Sequence, residues 1–180
     1  MQIILQPVSF QLGKDTISIL EKVLSEEFNA HVSTVSPIRG EIPLQLFDRD
    51  RNQWKSNEIL QWLLDKYRSN KATTTTTTKI LAICDFDAYS NGLNFVFGEA
   101  YIDGRISAIY VPRLRQEFYG LKEDQYLFYE RIVKEAVHEL GHAFGLSHCG
   151  NIRCVMHFSN SLSDTDIKQK NFCYICKKSL

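Results

Sequence analysis

The thirteen residues from Val137 to Cys149 limit this chain more than any other stretch. They set His138, Glu139, His142, Gly145 and His148 at steps of one, three, three and three. On a helix turning about 100° per residue, His138 and His142 fall about 40° apart on one face, with Glu139 on its flank. A helix that simply continued would carry His148 roughly 80° to the far side of His138. The third imidazole joins the other two only if the chain turns. Gly145 permits this, because glycine enters the left-handed conformation at a helix end without steric penalty. The spacing therefore predicts a long helix over 123–145, ended by Gly145, with His148 folded back beneath the pair.

Three neutral imidazole nitrogens converging on one point are a metal-ligand set that leaves a fourth position for water, the mark of a catalytic zinc rather than a structural one. The run reads His-Glu-x-x-His-x-x-Gly-x-x-His, a pattern of zinc-dependent proteases. On this reading the metal brings the pKa of a water to about 7, and Glu139 takes its proton.

Bulk properties narrow the setting. A chain of 180 residues suffices for a single domain with a substantial core. Its 21 basic and 21 acidic side chains cancel, so no bulk attraction to nucleic acid or an anionic membrane is expected. The start, Met1 to Pro7, lacks a basic segment and a long apolar run, so it does not read as a signal peptide, and no apolar stretch approaches a membrane span. A cytoplasmic monomer is the expectation. Four of the five cysteines come late, as Cys149-x4-Cys154 and Cys173-x-x-Cys176. In a secreted chain they would read as disulfides, whereas without a secretion signal paired thiols point to metal. Cys84, in an apolar run, is expected in the core.

In chain order, residues 2–10 read as a strand, Ile17, Leu20, Val23 and Leu24 as a helix to about residue 27, and 30–36 as a second strand. Pro37, Gly40 and Pro43 punctuate a connection to about residue 52, and Trp54, Ile59, Leu60, Leu63 and Leu64 outline a helix ending near Arg68. The tract Thr73 to Thr78 reads as a linker or the start of a strand. Residues 79–84 form an apolar strand, and the runs 94–102 and 106–112 flank Asp103-Gly104 as a hairpin. The sum is a twisted mixed sheet of four or five strands backed by helices. Asp85 and Asp87, at a strand end, are expected in turn contacts or facing solvent. Phe95 to Tyr101 is the candidate strand for an extended peptide to pair with.

After the third histidine come Cys154, Met156 and His157. A methionine in a turn beneath the zinc helix is the shared feature of metzincins. The full pattern, His138-Glu139-x-x-His142-x-x-Gly145-x-x-His148-Cys149, then Cys154-x-Met156 and the late Cys173-x-x-Cys176, closely resembles the archaemetzincins over residues 137–176. The resemblance implies a compact α+β metzincin-like fold with an α/β-like N-terminal part. It implies a first zinc on His138, His142 and His148, Glu139 as proton acceptor, and Met156 as the Met-turn residue. A second, structural zinc on Cys149, Cys154, Cys173 and Cys176 also follows from it. One peptidase domain is expected, with residues 1–148 carrying the sheet and active-site helix and 149–180 the Met-turn and second zinc. His157 is expected to be structural or exposed, and an inhibitory N-terminal cysteine finds no support.

The implied activity is hydrolysis of a peptide or protein substrate whose natural identity is open, as is the choice between trimming ends and cutting internally. A zinc-dependent peptide binder with little turnover is one competitor, although binding alone would not need a base at Glu139. The other is a zinc module for nucleic acid, to which Lys168, Lys170, Phe172, Tyr174, Lys177 and Lys178 would contribute.

Overall fold

The computed structural model describes residues 1–9, 13–69 and 77–180. Among them, the main sheet holds β1 (Gln2–Val8), β2 (His31–Thr34), β5 (Thr78–Cys84), β7 (Gly98–Ala100) and β8 (Ile106–Tyr110), in the order β2-β1-β5-β8-β7. The first four strands run parallel, and β7 closes one edge antiparallel to β8. Parallel strands are covered on both faces, so they read as unbroken apolar runs, and their side chains still divide by parity. Ile3, Leu5, Leu81, Ile83 and Ile109 enter one core. Their neighbours Ile4, Ile80, Ala82, Cys84, Ala108 and Tyr110 enter the other.

The first core lies under α1 (Lys14–Phe28) and α3 (Gln125–Ala143), through Leu20, Leu24, Ile132, Ala136 and Leu140. The second lies under α2 (Ser56–Ser69), through Ile59, Leu60 and Leu63. The mixed sheet and helical backing predicted from sequence are present, with the helices divided between two faces. Cys84 is in the core as expected, with no exposed surface. No helix among the described residues is long and apolar enough to cross a membrane.

Several boundaries differ from the sequence reading. Trp54 lies in β4 (Gln53–Lys55) rather than in α2. With β3 (Phe47–Asp48) and β6 (Ala88–Tyr89) it forms a small second sheet whose strands are too short to show alternation. The 94–102 run is strand over Gly98–Ala100 alone. Two short helices, α4 (Leu162–Ile167) and α5 (Tyr174–Lys178), follow the zinc motif. Residue 10 of the first predicted strand and residues 73–76 of the threonine tract fall outside the described residues, while Thr78 opens β5.

Candidate functional site

The helix α3 starts where Asp124 accepts a hydrogen bond from Leu127 N at 2.9 Å, satisfying one of the free N–H groups of its first turn. Its end is the turn the sequence demanded. Gly145 adopts φ +93°, its N–H donates to His142 O at 2.8 Å, and Leu146 N donates to Gly141 O at 3.0 Å. This pair of bonds is a Schellman motif, which satisfies the last carbonyls while reversing the chain. His148 thereby returns to the helix face, its ring centroid 5.4 Å from that of His138 and 4.7 Å from that of His142.

The two rings on the helix are oriented from behind. His138 Nδ1 donates to Val155 O at 2.8 Å, and His142 Nδ1 donates to Leu146 O at 2.7 Å. A carbonyl can only accept, so each neutral ring carries its proton on Nδ1 and bares the Nε2 lone pair. Those two Nε2 atoms lie 3.1 Å apart. Facing lone pairs at that distance repel one another unless a cation lies between them, so the donor set fits a metal. Burial holds all three imidazoles below their ordinary pKa, well below it for His138, which favours the neutral, coordinating form. The three donor nitrogens lie within 4.8 Å of one another.

Glu139 is 4% exposed and lines the same cavity, of about 560 Å³, as the three histidines. Burial first, then the charge of Glu135, holds its carboxyl well above the ordinary carboxylate range, and the Lys168 ammonium acts the other way. A cation held by the imidazoles would act in the same sense as Lys168. Apolar lining comes from Leu93, Phe95, Val96, Ile102 and Phe158. Phe158 sets its ring edge against His148, with centroids 5.1 Å apart.

The edge strand β7 borders this cavity. Tyr110 N donates to Phe97 O at 2.8 Å and Tyr101 N to Ile106 O at 3.2 Å, so the odd-numbered residues bond to β8. In an antiparallel ladder the intervening Gly98 and Ala100 then direct their N–H and C=O away from β8, and both residues line the cavity.

The four late cysteines also converge, their sulfurs within 4.8 Å of one another and none in a disulfide. Cys149 Sγ and Cys173 Sγ are 3.9 Å apart, and the main-chain N–H of Asn151 and Cys173 donate to Cys149 Sγ and Cys154 Sγ at 3.5 and 3.2 Å. Backbone N–H from Cys176 brings the Cys173 thiol down to about 7, whereas burial pushes Cys154 and Cys176 up. Clustered sulfurs with N–H donors directed at them suit thiolates around a cation.

Met156 has no exposed surface and sets its sulfur against Gly141, the residue before His142. His157 stays apart from both clusters, with Nδ1 3.0 Å from Cys149 O. Asp87 takes a bidentate pair from Arg113 at 2.6 and 2.7 Å, and Asp85 pairs with Arg115 at 2.8 Å, so both act as loop anchors. Arg113 also lies against the rings of Phe95 and Phe118, 4.5 and 4.8 Å from their centroids, bracing the cavity wall.

Sequence reasoning missed the polar stripe of α3. Arg131 pairs with Asp166 at 2.8 and 2.7 Å, Lys134 donates to Thr165 O and Asp166 O at 3.1 Å, and Thr165 donates to Glu135 at 3.2 Å. Glu135 could have been found, since it precedes Glu139 by one helical turn. Two of the lysines considered for nucleic acid are engaged internally, Lys168 with Glu135 and Lys177 with Glu27.

Comparison with known proteins agrees with this geometry. The family model described as Peptidase family M54 matches residues 18–180. An archaemetzincin of Methanocaldococcus jannaschii is 38% identical over 180 residues, covering 100% of this chain and 93% of the relative. The crystal structure of an archaemetzincin from Archaeoglobus fulgidus, complexed with malonate, is similar with a TM-score of 0.80 and 36% identity over the whole of both chains. A zinc-dependent peptidase from Methanocorpusculum labreanum is similar with a TM-score of 0.84 and 31% identity over 98% of each chain.

Proposed function

Since the chain belongs to peptidase family M54, the archaemetzincins, and is a zinc metallopeptidase, we propose that Glu139 is its general base and that His138, His142 and His148 hold the zinc. The observation that carries this reading is the meeting of three neutral imidazoles in a cavity walled by the buried carboxylate of Glu139. Zinc held there would supply a Lewis acid that acidifies water and polarises a carbonyl.

The protein's own groups do the rest. Gly98 and Ala100 offer main-chain partners to an extended peptide, which aligns a scissile bond along the cavity by strand addition. Glu139 accepts the proton shed by the attacking water and returns it to the leaving amine, ending the cycle in its starting state. Retention of Glu139 favours turnover over passive peptide binding.

A second zinc on Cys149, Cys154, Cys173 and Cys176, with a structural role, is supported by the convergence of the four sulfurs and by their place at the base of the Met156 turn. A reducing compartment such as the cytoplasm suits five unpaired thiols. Both sites are complete within one chain, which favours a monomer. The division at residue 148 is supported by the four clustered cysteines all lying beyond it, although α4 packs closely on α3.

The test is to incubate zinc-loaded wild type and Glu139→Gln with a diverse peptide library and map cleavage by mass spectrometry. Wild type is expected to cut and Glu139→Gln to retain its fold and zinc with most hydrolysis gone. Equal turnover by the two would remove Glu139 from the mechanism, and loss of metal in the variant would make it a ligand.

A further inference from the structure

We propose that Gly98 is a positioning residue for Glu139, a glycine present because any side chain there would occupy the space of that carboxylate. The inference rests on the assignment of Glu139 as the base.

A Cβ built on Gly98 falls 2.5 Å from Glu139 Cγ, 2.5 Å from Oε1 and 2.7 Å from Cδ, where ordinary contact begins near 3.4 Å. The three nearest atoms all belong to Glu139. The backbone does not itself call for glycine, because Gly98 is absent from the positive-φ positions that Gly40, Gly92, Gly120 and Gly145 occupy. Nor does the strand, since glycine weakens a strand interior and a side chain at this position would otherwise help to pack it. What glycine gains at position 98 is room for one buried side chain of α3.

Main-chain contact on one side therefore defines where the Glu139 carboxylate rests. The strand that supplies this contact is also the one that turns Gly98 N–H and C=O toward the cavity. One residue thus sets both the line of the peptide backbone and the position of the group that handles the proton. In Gly98→Ala the atoms that must yield, Glu139 Cγ, Cδ and Oε1, all lie on one side chain beyond its Cβ, so the fold and the histidines should survive while the carboxylate moves. Misplacement of a reacting group by about 1 Å can cost about 100-fold in rate.

The experiment compares Gly98→Ala with wild type for zinc content, thermal melting, kcat and KM on one peptide substrate, and repeats the substitution in Glu139→Gln and Glu139→Ala. The expected result is unchanged zinc, KM within about twofold, and kcat lower by about tenfold to 100-fold. In Glu139→Gln the same substitution should lower residual hydrolysis by a clearly smaller factor than it does in wild type, because no base remains to be displaced. In Glu139→Ala, where the colliding atoms are gone, Gly98→Ala should melt no lower than its parent.

Wild-type kcat in Gly98→Ala would overturn the inference, as would an equal fractional loss in the Glu139→Gln background. Should Gly98→Ala fail to fold, the Glu139→Ala background decides: folding there supports the collision, and failure there assigns the glycine to something other than Glu139. The two readings fail separately. If Glu139→Gln turns over like wild type, the base assignment is wrong; if Glu139→Gln is inactive and Gly98→Ala is not impaired, only the role of Gly98 falls.

Discussion

Lys168 places its Nζ 2.9 Å from Glu135 Oε1, and the two side chains are 0% and 3% exposed. Among the described residues the ammonium has no well-aligned hydrogen bond, so the contact is an ion pair held by charge. Such a pair is expensive to break from one side, because the remaining charge stays buried without compensation. Lys168→Met and Glu135→Gln should each lower stability by about 3–5 kcal/mol. Their combination should cost much less than the sum. Urea unfolding of the three variants checks this, and strict additivity would mean that the two charges do not depend on each other.

Replacing Cys173 and Cys176 by serine should remove one metal ion per chain and lower the melting temperature. Structural zinc in small peptides contributes roughly 10–16 kcal/mol of apparent binding free energy, and even a fraction of that rivals the stability of a domain. Activity should fall indirectly, as the segment from Cys149 loosens and His148 loses its anchor. Metal analysis, melting and peptide hydrolysis measured together would expose a dispensable site as a variant that loses an ion but melts and cleaves like wild type.

Gly141 is the other close approach on α3. A Cβ there would run into Met156 Sδ and come within 3.2 Å of Phe172 Cε1. Gly141→Ala should therefore cost about 1–3 kcal/mol, despite alanine's better helix propensity. Met156→Ala made alongside it should recover part of that loss. Chemical denaturation reads both, and a Gly141→Ala variant more stable than wild type would show that Met156 is free to move aside.

Alkaline pH should expose the buried Tyr67. Its hydroxyl donates to Gln6 Oε1 at 2.8 Å, and burial lifts its pKa from 10.0 to about 12. The unfolded chain releases this proton near 10 and the folded chain near 12, so the contribution is complete below 10 and is lost as pH rises through 12. The loss is roughly 2–3 kcal/mol. Tyr67→Phe has no such proton, so its stability deficit against wild type should shrink between about pH 9 and about pH 12. A gap that stays constant across that range would place the Tyr67 titration at its ordinary value in the folded protein.

What the sequence revealed and what it hid divide along the range of the interactions. His138, His142 and Gly145 are related through a single helix and its end, so their geometry follows from residue spacing alone. The cysteines needed family resemblance to become a ligand set, because Cys149 and Cys173 meet only after the segment between them, with α4, has folded back. Lys168 read as one of several late lysines that could contribute to a nucleic-acid module, and nothing near it in sequence marks Glu135 as its partner. Gly98 was equally silent, since its reason lies 41 positions away in Glu139. The small sheet of β3, β4 and β6 was invisible because two or three residues cannot display a period.

His148 and Cys149 are neighbours on the chain, yet they face different donor clusters, and the Cys149 N–H donates to Met156 O at 2.9 Å while its own carbonyl receives His157. Ordering either side chain removes freedom that the other would otherwise lose on its own. By thermodynamic reciprocity, if an ion at the four sulfurs raises the affinity of the three imidazoles, an ion at the imidazoles would raise that of the sulfurs by the same factor. Coupling of that sign would make the two clusters fill cooperatively, leaving a partly stripped sample rich in chains with both ions or neither.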